Sequence, residues 1–319
     1  MALMDNPNYI VENLPDYVKN NEDLLVKDVV FGASTVKRLV PQTGIKTSAH
    51  LNYLDVNVAF QNGNGCGFNP VGTAELSERD IVTGLIKVDM EICPDKLLGK
   101  YPEYLVRIPE TERASLPFEE WLIRAIIADI QKKLEVAVWQ GNTESEDGNL
   151  NRFDGFIKIL AGEDAVITED IDYGTDAYEA IKAVILKLPG YVYDKGDVEV
   201  HVSPELYRSF IFDMVEKNYY HYSGPENEAP AEFVFPGTRV KVVLTPGLAG
   251  TYKIVAGRAS NFYYGTDAEN NEEKVKVVYD EKEETFFVKA RWNSGVQVAF
   301  PDEVVVGTIA DEAPDENPD

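Results

Sequence analysis

The stretch from Leu122 to Ala137 carries the pattern that most limits what this chain can fold into. Apolar residues recur at Leu122, Ile126, Ile130, Leu134 and Ala137, one stripe at helical spacing, and Ile123, Ile127 and Val138 widen it. So wide a stripe predicts a helix buried on two sides. Ser115 can cap its start, Pro117 suits the first turn, and Glu119 and Glu120 sit where the helix dipole favours anions. From Pro117 to Trp139 the rod measures about 35 Å at about 1.5 Å per residue. Gly141 is expected to end it in the left-handed conformation. An acidic run, "NTESEDGNLNRFD", follows, and the chain then re-enters an apolar segment at once with "GFIKIL". Any fold must therefore hold one long rod whose chain reverses at the C-terminal end.

The flanks supply the partners of that rod. Residues 1–40 show little steady period and many Asn, Asp and Pro, and read as an extended arm with one short helix. Leu51, Leu54, Val56, Val58 and Phe60 mostly alternate with polar neighbours, which predicts a strand. The glycine-rich "QNGNGCGFNPVG" follows, and then a second extended run, "DIVTGLIKVDMEI", so the pair reads as a long hairpin with a flexible tip. The tip is no phosphate loop, since no Gly-Lys-Ser/Thr follows it. Beyond the rod, Asp176 and Glu179 resemble a capping box opening "AYEAIKAVILKL". "DVEVHV" alternates as a strand, and Ser203-Pro204-Glu205 starts the helix "ELYRSFIFDMVEKN". An aromatic loop leads to the strands "TRVKVVL" and "TYKIVAG"; "KVKVVYDEKEETFFVKARW" reads as a hairpin and "GVQVAFPDEVVVGTI" as a last extended segment. The class is α+β, without an internal repeat.

A formal charge of −25 over 319 residues repels phosphate backbones and argues against sequence-reading of nucleic acid. Two cysteines, Cys66 and Cys93, are too few for a disulfide framework. The N-terminal residues lack the basic and apolar regions of a signal peptide, so neither secretion nor a membrane anchor is expected. Chemistry is hard to find. His201 lies on the polar face of its strand and is expected to be solvated, and His221 sits in the aromatic "NYYHYSG". Neither has a partner at metal-ligand spacing. Nucleophile elbows are missing. Carboxylate pairs such as Asp89/Glu91 arise by chance among 55 acidic residues. No catalytic, cofactor or metal residue is assigned.

The order of elements resembles the tailed-phage major capsid protein family, whose Hong Kong 97-like fold is shared with encapsulin shells. Trp139-Gln140-Gly141-Asn142 is similar to the step that ends the family's spine helix, and Gly155-Phe156-Ile157 to the step that follows its polar loop. "VEVHVSPELYRSF" resembles the strand-to-helix element of the axial domain, and "FFVKARWNSGVQVAFPDEVVV" the closing strands of the peripheral domain. The resemblance implies an N-terminal arm over 1–40, an extended loop over 41–95 and a peripheral domain over 96–168 and 258–308. The spine helix would run over about 117–139, the axial domain over 169–257, and an acidic disordered tail over 309–319. It implies pentamers and hexamers of an icosahedral shell enclosing double-stranded DNA, made in the host bacterial cytoplasm and resident in the virion. Portal, scaffold or protease, and decoration proteins are the implied partners, with no membrane. Inter-subunit contact is expected at Gln61, Asn62, Gly63, Asn64, Gly65, Gly67 and Phe68 of the tip, and at Tyr219, Tyr220, His221 and Tyr222. Pro117, Trp121, Ile126, Ile130, Leu134, Trp139, Gly141, Gly155 and Phe156 would be structural. An encapsulin-type compartment is the alternative, and an acidic carbohydrate-active or ligand-binding α+β protein a further one. Because the arm starts almost at once, the sequence would be a mature form or rely on a separate scaffold.

Some shells of this fold cross-link through a lysine of the extended loop. The segment Gln61–Val71 contains no lysine, so assembled particles should run as monomers on a denaturing gel; a ladder joined through this segment would contradict the reading.

Overall fold

The computed structural model describes residues 18, 22–61, 71–93, 118–219, 232–267, 275–280, 282–283 and 285–310. In chain order these form helix α1 (Glu22–Phe31) and strands β1 (Val40–Gln42), β2 (Ser48–Asn57), β3 (Thr73–Val82) and β4 (Gly84–Ile92). The rod α2 (Phe118–Gln140), the short α3 (Phe156–Ala161), β5 (Ile167–Ile171), α4 (Ala177–Lys187) and α5 (Gly190–Tyr193) follow. Then come β6 (Val198–Val202), α6 (Pro204–Glu216), β7 (Glu232–Val234), β8 (Lys241–Leu244) and β9 (Lys253–Arg258). The chain closes with β10 (Phe262–Thr266), β11 (Val275–Asp280), β12 (Thr285–Val298) and β13 (Val305–Ile309).

Two sheets take every strand except β2 and β3. One is five-stranded in the order β1-β10-β12-β11, with β4 also on β12; the other is six-stranded, β5-β13-β9-β6-β8-β7. β12 is long enough to pair with β4 and β11 along its first half and with β10 along its second. The rod packs on the first sheet. Leu122, Ile123, Ile126, Ile127, Ile130, Leu134, Ala137 and Val138 are all buried, together with Val288, Ala290 and Trp292 of β12. Ala125, Ala128, Asp129, Lys132 and Lys133 are exposed, however, so the expected two-sided burial is reached only near the C-terminal end, where Glu135 and Trp139 are buried as well. Leu25 and Val29 form a helical stripe on α1 in the same core, and Gln131 Nε2 donates to the Asp28 carbonyl at 2.8 Å. The second core lies on the six-stranded sheet, where Ile181 and Val184 of α4 and Phe210 and Met214 of α6 cover Val200 and Val202.

Several local expectations hold and others are corrected. Ser203 caps α6 by accepting from the Leu206 amide at 3.2 Å, and β11 and β12 form the expected hairpin. Asp176 precedes α4 without making a side-chain cap; its carboxylate pairs with Lys217 at 3.1 Å instead. The return strand of the long hairpin is β3, not the run Asp80–Ile92: β2 pairs with residues 73–82, and β4 crosses into the five-stranded sheet. The break falls at Thr83-Gly84, where a Cβ on Gly84 would lie 1.7 Å from the Arg152 carbonyl oxygen.

Gly141 is a correction of reason rather than of place. It ends the rod but is absent from the glycines with positive φ, so handedness is not what it supplies. Space is: a Cβ there would sit 2.5 Å from the Ala137 oxygen and 2.6 Å from the Phe153 oxygen. Gly155 lies back to back with it, donating its amide to the Gly141 carbonyl at 2.8 Å. The exposed acidic loop between them is tied by Asp154, which accepts from the Thr143 amide and hydroxyl, each at 2.8 Å, and pairs with Lys158 at 3.0 Å. Partial burial works against the Asp154 charge, but these donors hold its carboxyl below the usual range.

A Cβ on Gly155 would lie 2.6 Å from the Gly141 nitrogen and 2.7 Å from the Trp139 oxygen, all backbone, so nothing flexible can yield. Gly155→Ala should lower the unfolding free energy by about 2 kcal/mol or more in urea titration. Gly190→Ala, where a Cβ meets nothing within 4 Å, should stay within about 1 kcal/mol of the parent.

Candidate assembly surfaces

β2 and β3 form a two-stranded antiparallel ribbon, in register from Ser48 with Val82 to Asn57 with Thr73. No third strand joins it among the described residues. Ten residues per strand give a length of about 33 Å, and a ribbon so thin is marginally stable in water without something to lean on. Its base is fastened to the body. Ile81 is fully buried, Gln297 Nε2 donates to the Asp80 carbonyl at 2.7 Å, and Arg79 forms a two-pronged ion pair with Glu163. Toward the far end the support stops: Val58, Phe60 and Val71, which flank the tip, are exposed, Phe60 completely.

The body the ribbon is fastened to is locked at the C-terminal end of the rod. Glu135 of α2 is buried at 4 % exposure, and its carboxylate accepts from the Thr35 amide at 2.8 Å and from the Thr35 hydroxyl. That hydroxyl in turn accepts from Trp139 Nε1 at 2.9 Å. Trp139 packs against Phe156 with ring centroids 5.2 Å apart and against His201 at 5.0 Å. Gln140 Nε2 donates to the carbonyls of Gly247 and Ala249 at 2.7 and 3.1 Å. Arg38, three residues beyond Thr35, bridges Glu199 of β6 at 3.0 Å and Glu232 of β7 at 2.7 Å. One end of the rod thus joins the arm and both cores.

His201 corrects the sequence reading. It is 2 % exposed rather than solvated, because β6 lies inside the six-stranded sheet with α4 and α6 on one face and the rod on the other, so all five of its residues are buried. Its Nδ1 hydrogen-bonds the Thr245 hydroxyl at 3.1 Å. Burial, with a smaller push from Arg38, lowers its pKa to about 3, which keeps the ring neutral.

Of the residues expected to make contacts, Gln61 is exposed at the mouth of the tip. Asn62, Gly63, Asn64, Gly65, Gly67, Phe68, Tyr220, His221 and Tyr222 lie outside the described residues, as does Pro117. Tyr219 is exposed, its ring 5.6 Å from that of Tyr178 on α4, well separated in the chain from Gln61. Ile126, Ile130, Leu134, Trp139 and Phe156 all enter the first core, and Trp121 lies on the rod. Sequence reasoning missed Thr35, Glu135 and Arg38. An acid four residues before a Trp on a buried stripe was the one available signal; Thr35 gave none.

A cavity of about 550 Å³ lies between β4 and α2, lined by Ile86, Val88, Ile130 and Trp292 with a few charges at its mouth. Those charges pair along their own elements, Lys133 with Asp129 at 2.8 Å and Lys87 with Asp89. Hydrogen bonding from Lys87 holds Asp89 below the carboxylate range, which suits an ion pair rather than a general acid. Among the described residues no three His, Cys, Asp or Glu are placed to hold a metal ion. No described helix is long and apolar enough to cross a membrane.

No family model matches the chain, and no curated protein matches it. Solved structures do. The satellite phage P4 procapsid structure that includes the size determination protein is similar over 92% of this chain and 92% of that one, at 12% identity and a TM-score of 0.56. The virus-like particle from Pyrococcus furiosus is similar over 93% and 98%, at 10% identity and a TM-score of 0.51. The capsid of an empty GTA particle is similar over 88% and 90%, at 11% identity and a TM-score of 0.53. The chain has the Hong Kong 97-like fold of these shell proteins.

The folded pKa of His201 lies below its unfolded value, so the unfolded chain takes up the extra proton and stability falls as pH drops below about 6.5 toward 3. Glu199, pushed up mainly by burial, protonates earlier in the folded chain and offsets part of this loss. Between pH 6.5 and 5 the parent should lose up to about 1.4 kcal/mol per pH unit, and His201→Gln should show a flatter slope in urea titrations. Equal slopes would mean that His201 is not buried neutral.

Proposed function

We propose that this chain is the major capsid protein of a tailed bacteriophage, assembling into pentamers and hexamers of an icosahedral shell around double-stranded DNA. The observation that carries this is the likeness to capsid and particle structures over about nine tenths of both chains. A rod locked at one end into two cores makes a rigid tile, and a ribbon with no third strand among the described residues makes a flap for a neighbour. Repeated around closed symmetry, weak contacts of this kind sum to a stable particle with no free edge. In this reading the arm spans 1–40, the extended loop 41–95, the peripheral domain 96–168 and 258–308, and the axial domain 169–257. Portal, scaffold or protease, and decoration proteins would complete the virion. The protein would have no catalytic role.

Acidity serves this role in two ways. A charge of −25 keeps free subunits apart and keeps packaged DNA from adhering to the wall. An encapsulin-type cellular compartment is the second reading, favoured by the likeness to the Pyrococcus particle. Nucleic acid inside purified particles supports the virion, and a co-purifying enzyme supports the compartment. A monomer on a sizing column at every salt concentration would leave the carbohydrate- or ligand-binding alternative.

Negative-stain microscopy of the expressed protein should show closed shells. Their yield should rise between about 0.05 and 0.5 M salt as screening shortens the reach of like-charge repulsion to a few ångströms. Shells that fall apart over that range would contradict the electrostatic account.

A further inference from the structure

Strand β6 turns two polar residues toward the rod. Glu199 and His201 lie two positions apart, so they share one face of the strand, and both are buried. His201 Nδ1 meets the Thr245 hydroxyl at 3.1 Å, and that hydroxyl donates to the Val243 carbonyl at 3.4 Å. Its oxygen therefore accepts from the ring, which places the proton of the neutral imidazole on Nδ1. Nε2 is then a bare acceptor, 3.9 Å from Glu199 Oε2. That oxygen is buried and meets no donor among the described residues. Two acceptors face each other, an arrangement that one added proton turns into a hydrogen bond.

The other oxygen of Glu199 holds the segment after α1. Oε1 accepts from Arg38 Nη1 at 3.0 Å, and Arg38 belongs to the short turn Val36–Arg38. The second partner of Arg38, Glu232, is exposed, so water screens that pair. Lys241 of β8 stands in register beside Glu199 and pairs with Glu232 at 3.6 Å. On the β9 side Glu199 meets Gly257, and the nearby Glu135 of the rod is committed to Thr35. Arg38 and Lys241 thus balance Glu199 and Glu232, and a proton on Glu199 leaves this group with one excess positive charge. Burial raises the Glu199 carboxyl above the usual Glu value, against the pull of Arg38 and Lys241. Burial also keeps His201 neutral, so in mild acid the proton goes to the carboxyl.

We infer that Glu199 is a proton-operated latch: ionised, it ties the segment after α1 to the six-stranded sheet through Arg38, and protonated, it releases Arg38 and bonds His201 on its own strand. Oε2 takes a proton from water, and the new O–H donates to Nε2. Arg38 keeps its charge, loses its buried counter-charge and retains only the exposed Glu232. Thr35 stays in place, because its partners Glu135 and Trp139 sit on the rod. Acid therefore loosens the turn Val36–Arg38 from the sheet while both cores stay folded. The folded chain takes this proton above the unfolded Glu value, so the step offsets the loss of stability from His201 rather than adding to it. The latch belongs to the single chain and stands whether or not the chain builds shells.

Hydrogen exchange in the full chain tests this. It is read at the Lys37, Arg38 and Leu39 amides, which bond within the turn, between about pH 7.5 and about pH 5, and corrected for the chemical rate. In the parent these amides should exchange about fivefold faster or more at the lower pH, with the Thr35 amide changing less than about twofold. Glu199→Gln, whose amide donates to Nε2 as the protonated carboxyl does, should exchange fast at both ends of the range. His201→Phe keeps a ring against Trp139 and Phe262 but removes the acceptor, so the step should move down by about one pH unit. Glu232→Gln should keep the step of the parent. No step in the parent, a parent-like step in Glu199→Gln, an unmoved step in His201→Phe or a lost step in Glu232→Gln overturns the latch. So does a Thr35 amide that speeds up as much as the turn. If His201→Phe melts well below the parent, infrared spectra of the parent labelled with carbon-13 glutamate take its place. A protonated-carboxyl band that grows over the same range and is missing from Glu199→Gln supports the latch, and no such band overturns it.

Discussion

A carboxylate buried on a rod is tolerated only if donors meet it, and Glu135 is the point on which the rest of this structure depends. Desolvating a charge without partners costs several kcal/mol. Thr35 supplies both its amide and its hydroxyl to that carboxylate, and the same hydroxyl is held by Trp139 one turn further along the rod. The consequence is positional. Thr35 can sit in only one place, which fixes the segment after α1. Arg38 then follows three residues on and reaches Glu199 and Glu232 of the other sheet. Apolar packing alone would allow the arm to slide along the rod; a satisfied polar network does not.

Rigidity at that end gives meaning to the looseness at the other. The ribbon is anchored at its base, through the buried Ile81, the Arg79–Glu163 pair and the bond from Gln297 to the Asp80 carbonyl. Beyond them it has no third strand among the described residues. A stiff body with a thin projecting flap is poorly suited to enclosing a substrate and well suited to leaning on a neighbour.

Much of this was legible in residue order. The stripe from Leu122 to Ala137 announced a long helix with a broad buried face, Ser203-Pro204 announced the start of α6, and the charged turn announced the β11–β12 hairpin. Failures have a common cause. His201 alternates as a solvent-facing residue would, yet β6 is covered on both faces, and alternation cannot report a second layer. A glycine that ends a helix commonly supplies a left-handed residue, whereas the real constraint at Gly141 is the backbone of Phe153 and Gly155 lying against it. No strong turn signal separates β4 from β3, so residue order alone merges β4 with the hairpin.

What the sequence determined by itself was the set of pieces: one rod, alternating strands, a reversal at two glycines and a strongly acidic surface. Those follow from periodicity, chain stereochemistry and charge, which act between near neighbours. Tertiary structure alone decided which pieces meet. The hydrogen bonds joining Thr35 to Glu135, a hundred residues away, and the register that sets Lys87 against Arg291 link residues far apart in the chain. Long-range pairing of that kind is set by the packing of whole faces, and no local pattern encodes it.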